Sequence, residues 1–290
     1  MLQATRVATS NGAVGVLDWG GSGEPLVLLH PNGFCAGLYE PLARGLESRA
    51  RVLALDLPGH GASTDPPTAA DYTFSAMAAT VLEVLDRMGI DRAAVVGGSL
   101  GGAVAILADR AQPGRWTRAL LAEPVAFPGD ALSSAPGEEN PMAATARRRR
   151  NCFADRAAMI TSLSTRDPLS QLAPEAMEAY ALWGTVEGSD GIRLACDPEV
   201  EARVFEVSST HDGAPGAWEH LREMSCATTI VAGRSTFLPD VFAQQAERVG
   251  TPLVLVDGGH FVLHEQTDRG VELIVQYALG ADAHSLTLTD

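Results

Sequence analysis

The sequence predicts an α/β fold: a mostly parallel sheet flanked by helices, with a mainly helical cap inserted after the sixth strand. Three observations lead there. Short apolar runs rich in Val, Leu and Ala alternate with stretches of helical periodicity through the first half of the chain, as successive βαβ units do. From about Pro124 to Ser225 the alternation stops, replaced by Pro/Gly/Ser-rich loops and separate helical pieces. It then resumes for two more strand and helix pairs.

In chain order, Thr5–Ala8 and Val14–Trp19 read as short strands and Pro25–His30 as a buried one. A helix over Tyr39–Leu46 leads to a buried strand at Val52–Asp56, and each strand ends in a Gly/Pro-rich turn. Met77–Met88 has helical spacing, Ala93–Gly97 reads as strand, Gly101–Arg110 as helix and Ala119–Ala122 as the sixth strand. In the interrupted stretch, Pro128–Pro141 reads as loop, and Pro174–Trp183 and Trp218–Met224 as helices. Strand Thr228–Ala232, helix Asp240–Val249, strand Pro252–Val256 and helix Gly270–Ala278 follow, and the tail after Gly280 is expected to fray. Residues 1–123 and 226–290 are thus expected to form a core domain, and residues 124–225 a cap subdomain.

A chain of 290 residues, 46% of them hydrophobic, can bury one sizeable core without disulfides. Cys35, Cys152, Cys196 and Cys226 are far apart and show no metal or redox spacing, so reduced thiols and a cytoplasmic location are expected. The start, MLQATRVATS, lacks a charged segment followed by an apolar one, and no run approaches a membrane span. A soluble, unprocessed protein is expected. The net charge of −15 argues against nucleic-acid and membrane partners, and the absence of lysine rules out a Schiff-base nucleophile. The basic run Arg147 to Arg150 reads either as a dock for an anion or, more commonly for such runs, as a solvated face. The sequence does not fix an oligomeric state and leaves a homo-oligomer open.

Chemistry concentrates at Gly97-Gly98-Ser99-Leu100-Gly101, a G-x-S-x-G pattern between a β-branched strand and an Ala-rich helix. Small residues around Ser99 let the chain turn sharply and expose the hydroxyl above the strand end. The Leu100 amide, at the start of the helix, is free to stabilise an oxyanion.

Four stretches together resemble the α/β-hydrolase superfamily, over nearly the whole chain: His30-Pro31-Asn32-Gly33-Phe34, Asp56-Leu57-Pro58-Gly59-His60-Gly61-Ala62-Ser63, the turn at Ser99, and Asp257-Gly258-Gly259-His260-Phe261. The resemblance implies the α/β-hydrolase fold, Ser99 as nucleophile and His260 as general base, with an acid holding the imidazole tautomer. It also implies structural roles for His30, His60 and Asp56, and favours His260 over His264, one helical turn on. The second oxyanion donor falls in the loop after the third strand, at Asn32, with Gly33 and Phe34 as alternatives.

The sequence departs from that family at the acid. Relatives place a carboxylate about three residues beyond the glycine of the strand after the cap, and here that position is Thr236. Some haloalkane dehalogenases and fungal zearalenone lactonases take the acid instead from the strand before the cap, which points to Glu123. Asp240 is the alternative, although it reads more as the N-cap of the helix after Pro239.

Serine at the elbow argues against dehalogenation and epoxide opening, which need a carboxylate nucleophile. The expected reaction is hydrolysis of an ester or lactone of a mainly apolar small molecule, with no metal or organic cofactor. Phe127, Met142, Phe153, Met159, Tyr180 and Trp183 are expected to line a cleft or to fill the cap's own core. A carbon–carbon bond hydrolase or cofactorless oxidoreductase on the same scaffold is a second reading, and a ligand receptor without catalysis a third.

Overall fold

The computed structural model describes residues 1–129 and 140–280. Most of the expected loop over Pro128–Pro141, and the tail after Gly280, lie outside the described residues. An antiparallel hairpin, β1 (Gln3–Thr9) and β2 (Gly12–Gly20), opens the chain. Then come β3 (Pro25–Leu29), α1 (Glu40–Leu46), β4 (Arg51–Leu55), α2 (Phe74–Arg87), β5 (Ala93–Gly98), α3 (Leu100–Ala111) and β6 (Trp116–Ala122). After an insertion come α8 (Ala214–His220), β10 (Ala227–Gly233), α9 (Pro239–Val249), β11 (Val254–Val256), α10 (Val262–Glu265) and α11 (Thr267–Leu273), which runs into a π-helical turn over Ile274–Ala278. The eight strands form one sheet in the order β1-β2-β4-β3-β5-β6-β10-β11, parallel from β4 to β11.

The parallel strands are covered on both faces, so they read as unbroken apolar runs. Alternate residues nevertheless serve different layers. Val27, Leu29, Leu53 and Val95 pack with α2, α3, α8 and α9, whereas Leu26, Leu28, Val52 and Val96 pack with α1 and α11, the period of two that a pleated strand imposes. Helix α3 is sandwiched between β5, α2 and α8 and is apolar on nearly its whole circumference, as a fully buried helix must be. Helix α8 starts four residues earlier than the Trp218–Met224 reading and sits on α3 through Ala214 and Ala217.

The insertion holds α4 (Pro141–Arg147), β7 (Cys152–Phe153), α5 (Arg156–Leu163), α6 (Pro174–Trp183), β8 (Thr185–Gly188), β9 (Gly191–Leu194) and α7 (Pro198–Val207). Three of its helices begin at Asn140, Asp155 and Asp197, whose side chains accept from the first free amides. The expectation of a mainly helical insertion omits its three-stranded antiparallel sheet, β7-β9-β8. Strands of two to four residues are too short for alternation to register, although the Ser189-Asp190 turn between Gly188 and Gly191 carries a hairpin signal. Phe153, Met159 and Tyr180 share a buried cluster with Phe34, Leu38 and Phe261 from the loops of the main sheet, which seats the insertion over the carboxyl ends of the strands. Of the apolar residues expected there, Met142 is instead exposed and Phe127 joins the main core.

Candidate active site

The carboxyl ends of β3, β5, β6, β10 and β11 deliver the candidate residues to one edge. Pairing of Leu29 with Gly97 and of Gly98 with Ala122 aligns the loops after β3, β5 and β6. Ser99 turns between β5 and α3 at φ 51° and ψ −114°, a left-handed conformation costing a non-glycine residue roughly 1–3 kcal/mol. Its backbone is held there: Ser99 N–H donates to Ala122 C=O at 2.9 Å, and Val125 N–H donates to Ser99 C=O at 3.0 Å. Glycine is required on either side, because a Cβ on Gly97 would collide with the Gly101 carbonyl and one on Gly101 with the Leu29 carbonyl.

Glu123, the first residue past β6, also has positive φ, at 45°. Its N–H donates to Val231 C=O at 3.0 Å, and its side chain is wholly buried. Glu123 Oε1 accepts from Gly233 N–H at 2.9 Å; Oε2 accepts from His260 Nδ1–H at 2.7 Å and from Thr236 Oγ1–H at 3.0 Å. Three donors satisfy the accepting oxygens of this buried carboxyl group, and by taking Nδ1–H it leaves Nε2 as the open nitrogen of His260.

His260 sits in the turn after β11, and that turn is gripped from one side. Glu265 accepts from Gly259 N–H through Oε2 at 2.7 Å and from Phe261 N–H through Oε1 at 3.0 Å, the two amides flanking the histidine. Gly258 has φ 139°, and a Cβ there would stand 2.7 Å from Glu265 Oε2, so the grip requires glycine at that position. Phe261 meets Phe34 at 5.0 Å between ring centroids, and Phe237, 68% exposed, lies 5.6 Å from the His260 ring.

In the loop after β3, Gly33 N–H donates to His60 Nε2 at 3.2 Å and Phe34 N–H to Pro31 C=O at 3.3 Å. Of the three candidate oxyanion donors there, Asn32 N–H alone has no protein acceptor among the described residues. Pro31 lies against Gly98, at the contact distance of 3.5 Å from a Cβ built there, so this loop abuts the elbow. Leu100 N–H occupies the first position of α3, where no helical carbonyl can reach it.

The remaining histidines at this edge are structural. His30 Nε2 accepts from Leu57 N–H at 2.9 Å while Nδ1–H donates to Pro31 C=O at 2.8 Å, tying the loop after β3 to the one after β4. His60 Nδ1–H donates to Pro58 C=O at 3.0 Å. Burial lowers the pKa of both, that of His60 to about 4, so they stay neutral. Asp56 accepts from Ala36 N–H at 2.7 Å and Ala62 N–H at 2.9 Å, and burial raises it to about 6. Asp240 is exposed in the first turn of α9, and its expected N-cap position belongs to Leu238, because the helix begins at Pro239.

Comparison with known proteins bears on the family and the fold. The profile described as "Alpha/beta hydrolase family" matches residues 26–273, most of the chain. The chain belongs to the alpha/beta hydrolase family. Among curated relatives, a pimeloyl-[acyl-carrier protein] methyl ester esterase of Methylococcus capsulatus is 39% identical over 98 residues, 34% of this chain and 36% of that protein. A dihydrolipoyllysine-residue acetyltransferase component of an acetoin cleaving system, from Cupriavidus necator, is 40% identical over 121 residues, 40% of this chain and 30% of that protein. The matched stretches thus span about a third of each relative's length. Among solved structures, an E-2-(acetamidomethylene)succinate hydrolase superposes with a TM-score of 0.79 at 21% identity, covering 97% of this chain and all of that one. An N-acyl homoserine lactonase complex gives 0.71 at 20% identity, over 100% of this chain and 99% of that one. These likenesses speak to the fold. No helix among the described residues is long and apolar enough to cross a membrane.

Thr236, the position where the resemblance led to the expectation of a carboxylate, donates its hydroxyl to the carboxylate of Glu123. Two features of this alpha/beta hydrolase were absent from the reading of its sequence. Glu265 is a side-chain acceptor for backbone amides, which no spacing rule marks out. Arg149 is no part of a solvated face: it pairs with Glu201 at 2.7 Å and is 15% exposed, while Arg147 pairs with Glu199 and Glu206.

Proposed function

We propose that the protein is a serine hydrolase cleaving a carboxylic ester or lactone of a mainly apolar small molecule through an acyl-enzyme, with Ser99 as nucleophile, His260 as base and Glu123 as acid. The observation that carries this reading is the His260 Nδ1–Glu123 Oε2 hydrogen bond of 2.7 Å at the sheet edge that also bears the strained Ser99 turn. In the first half-reaction, His260 Nε2 removes the Ser99 hydroxyl proton as Oγ bonds to the acyl carbon. The carbonyl oxygen becomes an oxyanion facing the N–H groups of Asn32 and Leu100. Collapse breaks the bond to the alcohol, which leaves with the proton from Nε2. Water then attacks the acyl-enzyme, passing its proton to Nε2, and Ser99 Oγ departs and recovers that proton.

The insertion, seated over these strand ends, is a cap in this reading. Phe34, Phe261 and the exposed Phe237 around His260 favour an apolar acyl or alcohol group. The methyl ester esterase among the relatives and the lactonase among the structural likenesses support ester and lactone chemistry. The test is stopped-flow hydrolysis of p-nitrophenyl esters of graded acyl length, with lactone opening followed by pH-stat. Turnover with a pre-steady-state burst of one equivalent of nitrophenol per enzyme is expected of slow deacylation, and Ser99→Ala should abolish both. Turnover by Ser99→Ala within about tenfold of wild type would overturn the proposal.

A further inference from the structure

The loop bearing Asn32 is held from the insertion by a buried polar cluster that the hydrolytic mechanism does not use. Tyr180 of α6 donates its hydroxyl to Gly33 C=O at 3.1 Å, and Arg149 Nη2–H donates to that hydroxyl oxygen at 2.6 Å. Arg149 Nη1–H donates to Glu201 Oε2 of α7 at 2.7 Å. Glu201 in turn offers its backbone carbonyl to the Asn32 side-chain amide at 3.0 Å. The ion pair closes directly over the loop: a Cβ on Gly33 would stand 2.8 Å from Glu201 Cδ and 2.9 Å from Arg149 Nη1. From below, His60 Nε2 fixes Gly33 N–H. The two peptide units that follow Asn32 are thus tied down through Gly33 N–H and Gly33 C=O, and its side chain through Glu201, while Asn32 N–H itself is left open.

A buried ion pair is a poor source of stability, because desolvation offsets most of its attraction. Its value here is geometric. An oxyanion donor must be placed within tenths of an ångström of the developing charge before reaction, and a loop amide needs outside support to stay there. Arg149, the third residue of the arginine run, carries a planar guanidinium that reaches a carboxylate and a phenol at once, which a flexible ammonium would do less rigidly.

We propose that Arg149, Tyr180 and Glu201 are positioning residues that hold Asn32 N–H in the oxyanion hole, so that the hole is complete only with the insertion seated. The inference rests on the serine-hydrolase reading above. Tyr180→Phe removes one oxygen at nearly constant shape and leaves every reacting group in place. The expected result is a fall in kcat of about tenfold with KM within about twofold of wild type. The inhibition constant of a trifluoromethyl ketone, which forms an oxyanion adduct on a serine, should rise by a similar factor. Asn32→Ala keeps the backbone N–H, removes the side chain's tie to Glu201 together with its 3.1 Å contact to His60 Nε2, and should show the same split between kcat and KM. Arg150→Gln, directed at Cys152 C=O and the Phe153 ring, should leave kcat unchanged. Circular dichroism and Tm verify folding, and if Tyr180→Phe does not fold, Asn32→Ala decides. Unchanged kcat and ketone affinity in the folded variant, or an equal loss in Arg150→Gln, overturns the positioning role while the hydrolase reading stands. A wild type that neither turns over esters nor binds the ketone overturns both.

Discussion

Replacing Glu123 by glutamine separates the acid's charge from its shape. Three donors converge on the carboxylate: Gly233 N–H on Oε1, and His260 Nδ1–H with Thr236 Oγ1–H on Oε2. An amide has one accepting oxygen, so one side must lose. With the amide oxygen toward His260, its NH2 would oppose Gly233 N–H, and two buried donors facing each other cost roughly 1–3 kcal/mol. The opposite orientation avoids that, since the Thr236 hydroxyl can rotate to accept, but it presents NH2 to His260 Nδ1 and drives the proton to Nε2. The histidine then cannot take the Ser99 proton. Glu123→Gln should therefore fold with a modest loss of stability, while kcat falls by roughly two to four orders of magnitude, about 2.7–5.5 kcal/mol of barrier. Adding Thr236→Asp tests the geometry. Thr236 Oγ1 lies 3.0 Å from Glu123 Oε2, so a carboxylate there reaches the same imidazole, and the double variant should recover at least about tenfold of the lost rate. Steady-state kinetics on one p-nitrophenyl ester, with Tm for each variant, read all three quantities. A folded Glu123→Gln enzyme within about threefold of wild type, or an equal loss in Asp240→Asn, would refute the assignment.

Glu265→Gln removes one of two acceptors for the amides around His260, and should lower kcat about three- to thirtyfold with little change in KM; an unchanged kcat in the folded variant would leave Glu265 as a helix-tethering residue only. Ser99→Ala and His260→Ala should each abolish turnover, and their combination should be no worse than either alone, because the pair acts in one step; additive losses in kcat would contradict that. Acid should destabilise the fold. Burial lowers His30, His60 (to about 4) and His264 (to about 3), so the unfolded chain takes up their protons first, and their contribution, full above about pH 6.5, is lost as pH falls. Asp56, raised to about 6 by burial, acts in the opposite sense, since below pH 6 the folded form holds the extra proton. The histidines outnumber the one carboxyl group, so the net effect is a loss of stability as pH falls below about 6.5. His264 has no partner at either ring nitrogen among the described residues, so His264→Leu should keep stability at pH 7 and reduce the pH dependence of stability by about one proton, 1.4 kcal/mol per unit, in urea titrations at pH 7, 6 and 5; an unchanged pH dependence would contradict the assignment.

Legibility in the sequence followed the range of the interactions. The sheet was readable because β3, β4, β5 and β6 are apolar on both faces and end in Gly/Pro turns, a local signal. The elbow was readable for the same reason: Gly97 and Gly101 flank Ser99 at the junction of a strand and a helix. Glu123 could be proposed beside His260 because the chain resembles hydrolases that take the acid from the strand before the cap, and that strand ends on the same sheet edge as Ser99. The α9 cap was misread, since Asp240 suits an N-cap by type, yet proline at 239 already opens the helix and leaves Leu238 outside it. Strands β7, β8 and β9, at two to four residues each, are too short for alternation to register, and the turn at Ser189-Asp190 is their one local mark. The cluster of Arg149, Tyr180 and Glu201 was beyond reach altogether, because its partners are 31 and 52 residues apart and meet only once α6 and α7 have folded back over the sheet.

The central claim, that Ser99 carries the acyl group, is tested most directly by mass spectrometry of the protein after reaction with a fluorophosphonate and, separately, after acid quench during turnover of a slow ester. The account predicts one adduct per chain in each case, located on the peptide containing Ser99, absent in Ser99→Ala and strongly slowed in His260→Ala. Ester turnover with an unmodified Ser99 peptide, or an adduct on another residue that persists in Ser99→Ala, would contradict it.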